Sequence, residues 1–444
     1  MDHLYIFNKD KTIVSFYSSD KEWTIKLGPN DYYAAPVFMR GCFYFRGGIN
    51  IDRFADALAE SFKDFDMLLG TLSMSKEGDI FVNYENNKLN QVLEIEDRTT
   101  ESSINNNQNV IDHLPNKIIT AEQQSGAAID LSGMKMSAFK IKVFNDGFFI
   151  GYNINHSMLD LTGVAYYFKY LSQIYTLGNR EKINLKKPQY LGTFKTNNIQ
   201  FKDKDEADQY ANKMGFYFIP PNNNSNNMFS QNNILKIEFN TTKLDILKST
   251  SDLSLSKNDV ITAAICKVFT FTSNLKDDDI FTLKYMCNIR KLAGLGEEAL
   301  GNLYIYKGIP LKVSDIRKKS LVELAGINRK SVSEITYEQF KNDLCWFKYI
   351  QDEKIDTFGY FIPSIKYTLL SNWNQYDYDQ IKFDNATPHS LAPVCIADAG
   401  TNFISFNTNE NNEKTIITTV SIPPNSIKEI VEFGVNTSLY RVIN

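Results

Sequence analysis

The chain has 444 residues, 43% of them hydrophobic and 23% charged, which is enough apolar material for a sizeable core and excludes disorder as the main state. Its 48 basic and 52 acidic residues give a net charge of −4, so the basic excess that nucleic-acid backbones require is missing. No apolar run reaches the roughly 18–20 residues that cross a bilayer, and the opening MDHLYIFNKDK lacks a basic region followed by an apolar core.

Cys42, Cys266, Cys287, Cys345 and Cys395 are scattered and never form a C-x-x-C pair, so neither a disulfide framework nor a thiolate metal site is expected. A reducing, cytoplasmic setting fits this pattern, with no membrane span and no nucleic-acid partner. The length suggests two domains. Aromatic-rich Phe38 to Phe45 predicts a strand, stopped by Gly47 and Gly48. From Ile51, the apolar residues Phe54, Ala57, Leu58, Phe62 and Phe65 recur at steps of three and four and predict a helix capped by Asn50 or Asp52. Residues 85 to 125 are polar and weakly periodic and read mostly as loop with short strands.

Phe139 to Phe144 and Phe148 to Asn155 form a hairpin pattern around Asn145, Asp146 and Gly147, residues that tolerate positive φ. In its second strand Phe148, Ile150, Tyr152 and Ile154 share a face, and the period of two carries His156 onto it. After Asp160 and Thr162 a helical stripe takes over through Val164, Tyr167, Phe168, Leu171 and Tyr175. His156 therefore sits where a strand gives way to a helix. Residues 178 to 212 and the Asn-dense stretch from Pro220 to Asn233 read as surface connection. The second half repeats the mixture. It has a strand over Ile234 to Phe239, a helix from Thr241 or Thr242, and a helix near Asp259 to Phe271 opened by Ser256 and Asp259 at capping-box spacing. Thr415 to Ile422 alternates as a late strand, and the turn Pro423 to Ser426 leads into a helix around Ile427 to Phe433.

The segment HSMLD, His156 to Asp160, sets an imidazole and a carboxylate four residues apart. Read alone, His156 could be a core histidine bonded to the backbone and Asp160 a helix cap. The context is wider. LGPNDYY, ALAESFKDFDMLLGTL, SAFKIKVFNDGFFIGYNINHSMLD, SLSKNDVITAAICKVF, NIRKLAGLGEEALGNLYIY and SNWNQYDYDQIKFDNATP follow one another over nearly the whole length. In that order they resemble the landmarks of the BAHD acyltransferase family, within the superfamily of coenzyme-A-dependent acyltransferases that carry an H-x-x-x-D-G motif. Three positions depart from the family pattern: Asn155 stands where many relatives have a second His, Leu161 stands for the usual Gly, and Lys382 to Ala386 replaces DFGWG while keeping Phe383.

The resemblance implies an α+β fold of two similar chloramphenicol-acetyltransferase-like domains with mixed β-sheets flanked by helices, and a tunnel between them. Residues 1–200 would form one half, joined by a segment near 350–390, and 201–444 the other. It implies acyl transfer from acyl-CoA, as co-substrate and not bound cofactor, to a hydroxyl or amine of a small-molecule acceptor. His156 would act as general base in one direct step, because such a nucleophile attacks a thioester only as its proton is removed. Asp160 would pair with Arg290 to hold the histidine loop. Asn302, Ser371 and Trp373 are candidate donors to the oxyanion or acyl group. Ser254, Ser256 and Lys257 at a helix start are candidates for the CoA phosphates. No metal is implied, a monomer is expected, and His113 and His389 read as surface histidines. Two other readings share the motif: a non-catalytic small-ligand-binding member, suggested by the altered DFGWG loop, and an amide-forming condensation domain. The lack of a second His before the motif argues against the latter.

Overall fold

The computed structural model describes residues 5–7, 12–18, 20–103, 110–116, 131–191, 200–214, 233–272, 275–353, 367–394, 401–422 and 426–443. Cys395, the Pro423–Asn425 turn and nearly all of the Asn-dense 220–233 stretch lie outside them.

Most strands join one mixed sheet of 14. In the first half the order is Ile13–Tyr17, Leu89–Arg98, Ser137–Phe144, Gly147–Asn155 and Phe38–Arg46. The free edge of Phe38–Arg46 then pairs antiparallel with Pro388–Pro393, and the sheet continues through Thr401–Thr408, Tyr367–Asn372, Ile280–Asn288 and Tyr304–Lys312. A strand from late in the chain thus extends the sheet of the first half. Two large cores lie along this sheet. One gathers Phe43, Phe54, Leu58, Phe139, Ile150, Phe168 and Leu171 beneath the helices Ile51–Ser61 and Leu161–Leu177. The other gathers Val260, Ile265, Phe281, Leu324 and Val420 beneath Lys257–Thr272 and Leu321–Ser333. Ile51–Ser61 and Leu161–Leu177 bury the apolar residues that their sequence spacing predicts.

The hairpin forms with Val143 opposite Phe148, but its turn differs from expectation. Neither Asn145 nor Asp146 takes positive φ. The Asp146 carboxylate instead accepts from the Ser102 hydroxyl at 2.6 Å and the Ser103 backbone amide at 2.7 Å. Gly147 is required by crowding, since a Cβ there would stand 2.5 Å from the Phe45 carbonyl oxygen. Residues 85–125 also need correction, because Leu89–Arg98 is a ten-residue strand. It pairs antiparallel with Ile13–Tyr17 and parallel with Ser137–Phe144, so partners far along the chain impose what local propensity does not signal.

The presumed surface connection over 178–212 contains structure of its own. Gln189–Tyr190 pairs with Ala299–Leu300, and the helix Lys204–Met214 packs Ala207 and Ala211 against Trp346 and Phe347. His113 is not a surface residue. Its ring stacks on Phe149 at 3.8 Å between centroids, and the bare Gly151 beneath admits its backbone. His389 is half-buried edge-on to Tyr44. Among the described residues no helix is long and apolar enough to cross a membrane.

Candidate active site

The strand Gly147–Asn155 ends one residue before His156, which opens a tight turn into the helix Leu161–Leu177. Asn155 fixes that turn. Its amide donates to the Ala35 carbonyl at 2.8 Å and its side-chain oxygen accepts the Ser157 backbone amide at 2.9 Å. The His156 amide donates to the Val37 carbonyl at 2.8 Å, so the loop before Phe38 grips the histidine from the other side. Leu161 does not take positive φ, and the backbone there makes no demand for glycine.

Asp160 and Arg290 meet as a buried bidentate pair, Nη1 to Oδ2 at 2.6 Å and Nη2 to Oδ1 at 2.9 Å. The carboxylate also caps the helix by accepting the Gly163 amide at 3.0 Å, and takes the Leu303 amide at 3.1 Å. Every lone-pair direction is committed away from the imidazole, so Asp160 is no proton partner for His156. Arg290 is held in turn by the Ala299 carbonyl at 2.9 Å. The cap and the ion pair coexist.

Asn302 has a different place from the expected oxyanion donor. Its Oδ1 lies 2.7 Å from His156 Nδ1, and its Nδ2 donates to Asp31 Oδ1 and to the His156 carbonyl, each at 2.8 Å. Both amide protons are engaged within the protein, which leaves none for a bound carbonyl. Gly301 makes the placement possible with φ of 117°, a conformation that L side chains rarely adopt. Asp31 is buried, and this pushes its carboxyl up to about 6, against the pull of hydrogen bonds from Tyr190 and Asn302. Burial likewise holds His156 below its usual value and favours the neutral ring, although Asp160 and Asn302 act in the opposite sense.

The imidazole lines a cavity of about 880 Å³ that draws its walls from both halves of the chain. Phe38, Met39, Leu161, Tyr285, Tyr304 and Trp373 are among the residues that line it. Tyr304 stands edge-on to His156 with 5.9 Å between ring centroids. Ser371 and Trp373 line the same space, and the indole N–H donates to the Ser371 hydroxyl at 3.1 Å. The indole donor is thereby used while the Ser371 hydroxyl keeps its own proton to give. A polar strip runs beside them, in which Asn288 donates to the Thr162 hydroxyl at 2.7 Å and Thr162 shares a 2.8 Å bond with Tyr376.

Of the three residues expected near the CoA phosphates, Ser256 alone lines the cavity. Ser254 is exposed outside it, and Lys257 pairs with Asp245 at 3.0 Å. The cations on the lining are Arg40, Lys291 and Arg329, and sequence periodicity pointed to none of them. Arg329 leans on the buried Asp259 at 2.8 Å and reaches the Ser256 hydroxyl at 3.3 Å. Among the described residues no group of three or more His, Cys, Asp or Glu side chains could hold a metal ion.

The altered DFGWG segment keeps its scaffold through other atoms. Phe383 is fully buried among Phe45, Phe54 and Tyr175. Lys382 is exposed, and the acidic contact moves two residues on, to Asp384. A φ of 53° aims Asp384 at Arg53 and at the Tyr175 hydroxyl, which donates at 2.6 Å. Asp379, the other possible substitute, pairs with Lys414 instead.

A search of curated proteins returns no match. Solved structures do share the fold. F. graminearum TRI101 complexed with coenzyme A and T-2 mycotoxin superposes with a TM-score of 0.70 at 11% identity, over 95% of this chain and 100% of that one. Vinorine synthase gives 0.63 at 14% identity over 91% of each. TRI3 trichothecene 15-O-acetyltransferase from Fusarium sporotrichioides gives 0.58 at 12%, over 98% of this chain and 97% of its own. The Transferase family profile matches residues 6–435, nearly the whole sequence. With the histidine turn, its arginine anchor and the cavity in place, the chain belongs to the Transferase family.

Proposed function

We propose that the protein transfers an acyl group from a CoA thioester to the hydroxyl or amine of a small molecule, with His156 as general base. The observation that carries this is the placement of an imidazole, neutral by burial, on the wall of a large cavity whose lining mixes aromatic and cationic side chains. Nδ1 is held by Asn302, so the other ring nitrogen, Nε2, is the one free to take a proton from the acceptor. As that acceptor attacks the thioester carbonyl, negative charge grows on the carbonyl oxygen, and the Ser371 hydroxyl is the donor with a proton to give. The imidazolium then returns its proton to the departing CoA thiolate, and the N–H or O–H bond of the acceptor is replaced by its bond to the acyl carbon. No acyl-enzyme is required.

CoA is a polyanion, and Lys291 and Arg329 on the lining supply charge of the right sign for its phosphates. The reading as a ligand binder without turnover loses its motive, since Phe383 and Asp384 keep the supporting loop packed. The test is thiol release from a panel of acyl-CoAs with alcohol and amine acceptors. His156→Ala should lower kcat by about 10²- to 10⁴-fold while acyl-CoA still binds. The absence of thiol release above that variant, with every pair tried, would overturn the reading. A soluble monomer in the cytoplasm completes the proposal.

A further inference from the structure

We propose that Asp31 and Tyr190 are positioning residues that act through Asn302 to keep the His156 proton on Nδ1 and the Nε2 lone pair toward the cavity. The inference builds on His156 as the base and adds what selects its tautomer.

The Asn302 amide cannot be turned over. Its nitrogen lies 2.8 Å from Asp31 Oδ1, 2.8 Å from the His156 carbonyl and 3.3 Å from the Ser157 carbonyl, three groups that only accept. A flip would set its oxygen against all of them. With the nitrogen so fixed, Oδ1 faces His156 Nδ1 at 2.7 Å and can only accept. The ring must therefore protonate Nδ1, and the base at Nε2 follows by elimination. The two carbonyls belong to the histidine turn itself, so the constraint from outside that turn is the carboxylate.

Asp31 is in turn located by donors on both oxygens. Oδ1 also accepts the Asn302 backbone amide at 3.0 Å, and Oδ2 accepts the Tyr190 hydroxyl at 2.6 Å. Tyr190 arrives by strand pairing, opposite Leu300 in the two-residue ladder beside Gly301 and Asn302. Asn30 closes the group by donating to the Asn302 carbonyl. Asp160 cannot supply this function, because Arg290, Gly163 and Leu303 take its oxygens.

In a serine-hydrolase triad the carboxylate bonds the imidazole directly and both orients it and stabilises its charged form. Here an amide intervenes. The ring gains orientation, and at one remove a favourable dipole once it is charged, while the carboxylate stays too far to raise its basicity strongly.

The experiment uses protein labelled with ¹⁵N-histidine, in which the four histidines give few signals and His156→Gln assigns the one of interest. At a pH where the ring is neutral, the wild-type spectrum should report the Nδ1–H form. Asp31→Ala removes the acceptor shared by the side-chain and backbone N–H groups of Asn302, so that side chain is no longer held from outside the turn, and this should bring in the Nε2–H form with a fall in kcat of about 10- to 100-fold, smaller than the ~10⁴-fold loss when a directly bonded carboxylate is replaced. KM for acyl-CoA should stay within about twofold, because nothing that touches the co-substrate changes. Tyr190→Phe, which keeps the ring and the fold, should move both readouts the same way and less far. An unchanged Nδ1–H signal in both variants overturns the inference, as does a loss of kcat that only tracks loss of folded protein. The two readings fail separately: turnover surviving in His156→Ala would end the general-base reading and leave the tautomer result intact.

Discussion

Replacing Arg290 by Met tests what anchors the histidine turn. The wild-type pair is buried on both sides, with side-chain exposures of 4% and 5%, and is joined by hydrogen bonds of 2.6 and 2.9 Å. In Arg290→Met the Asp160 carboxylate keeps the Gly163 and Leu303 amides and loses its countercharge. Removing one partner of a buried pair typically costs about 3–5 kcal/mol, a large part of the ~5–15 kcal/mol that holds a native protein together. Adding Asp160→Asn removes the stranded charge. The double variant should recover at least half of the loss, with coupling at the upper end of the ~0.5–3 kcal/mol seen between contacting residues. Urea unfolding followed by circular dichroism at neutral pH reads all three variants. Turnover should also fall in Arg290→Met although His156 is untouched, because the segment that carries Asn302 loses the guanidinium that ties it to the turn. A destabilisation below about 1 kcal/mol, or strict additivity of the two substitutions, would refute the argument and reduce Asp160 to a helix cap.

The pH dependence of kcat/KM follows from burial of the base. Burial holds His156 below its usual 6.5, so the active neutral ring persists as the pH is lowered through that value and activity should fall only beneath it; a half-maximum above 6.5 counts against the assignment. The altered loop allows a contrast between its two members. Phe383→Ala, which empties a fully buried aromatic site, should cost about 3–5 kcal/mol in urea unfolding. Asp384→Asn, in a pair whose side chains are 43% and 39% exposed, should cost under about 1 kcal/mol. Equal effects would show that the acidic contact carries the loop after all.

Local periodicity was enough to place the hairpin, the helix Leu161–Leu177 and the emergence of His156 at a strand end, because each is written within some twenty consecutive residues. Contacts across the chain were not legible in that way. Asp31 and Asn302 are 271 residues apart and Asp160 and Arg290 are 130 apart. The second pair is visible through the family resemblance, whereas nothing in the sequence announces the first, so Asn302 reads there only as one candidate donor to the oxyanion or acyl group. The full length of the strand Leu89–Arg98 is not legible for the same reason, since its alignment comes from Ile13–Tyr17 and Ser137–Phe144. At the altered loop the misleading feature was spacing. Lys382 occupies the acidic position, yet a left-handed residue at Asp384 delivers a carboxylate to Arg53 from two places further on, a backbone effect that residue types alone do not announce.

The geometry also says which parts of the site can vary. One segment of the second half, Arg290 to Leu303, supplies the guanidinium to Asp160, the Gly301 bridge to Leu159, the amide to His156 and the backbone donors to Asp31 and Asp160. These are buried polar bonds, and each left unmade costs about 1–3 kcal/mol, so a displacement of this segment by even 1 Å would break several together. The seam at the histidine is therefore stiff, because no intermediate spacing satisfies the carboxylates. Lys291 and Leu292 project exposed from the same segment, and the cavity walls away from the turn are chiefly apolar packing that tolerates exchange of side chains of similar volume. On the proposed mechanism, a fixed base beside an adaptable chamber would separate the chemistry from the choice of acceptor.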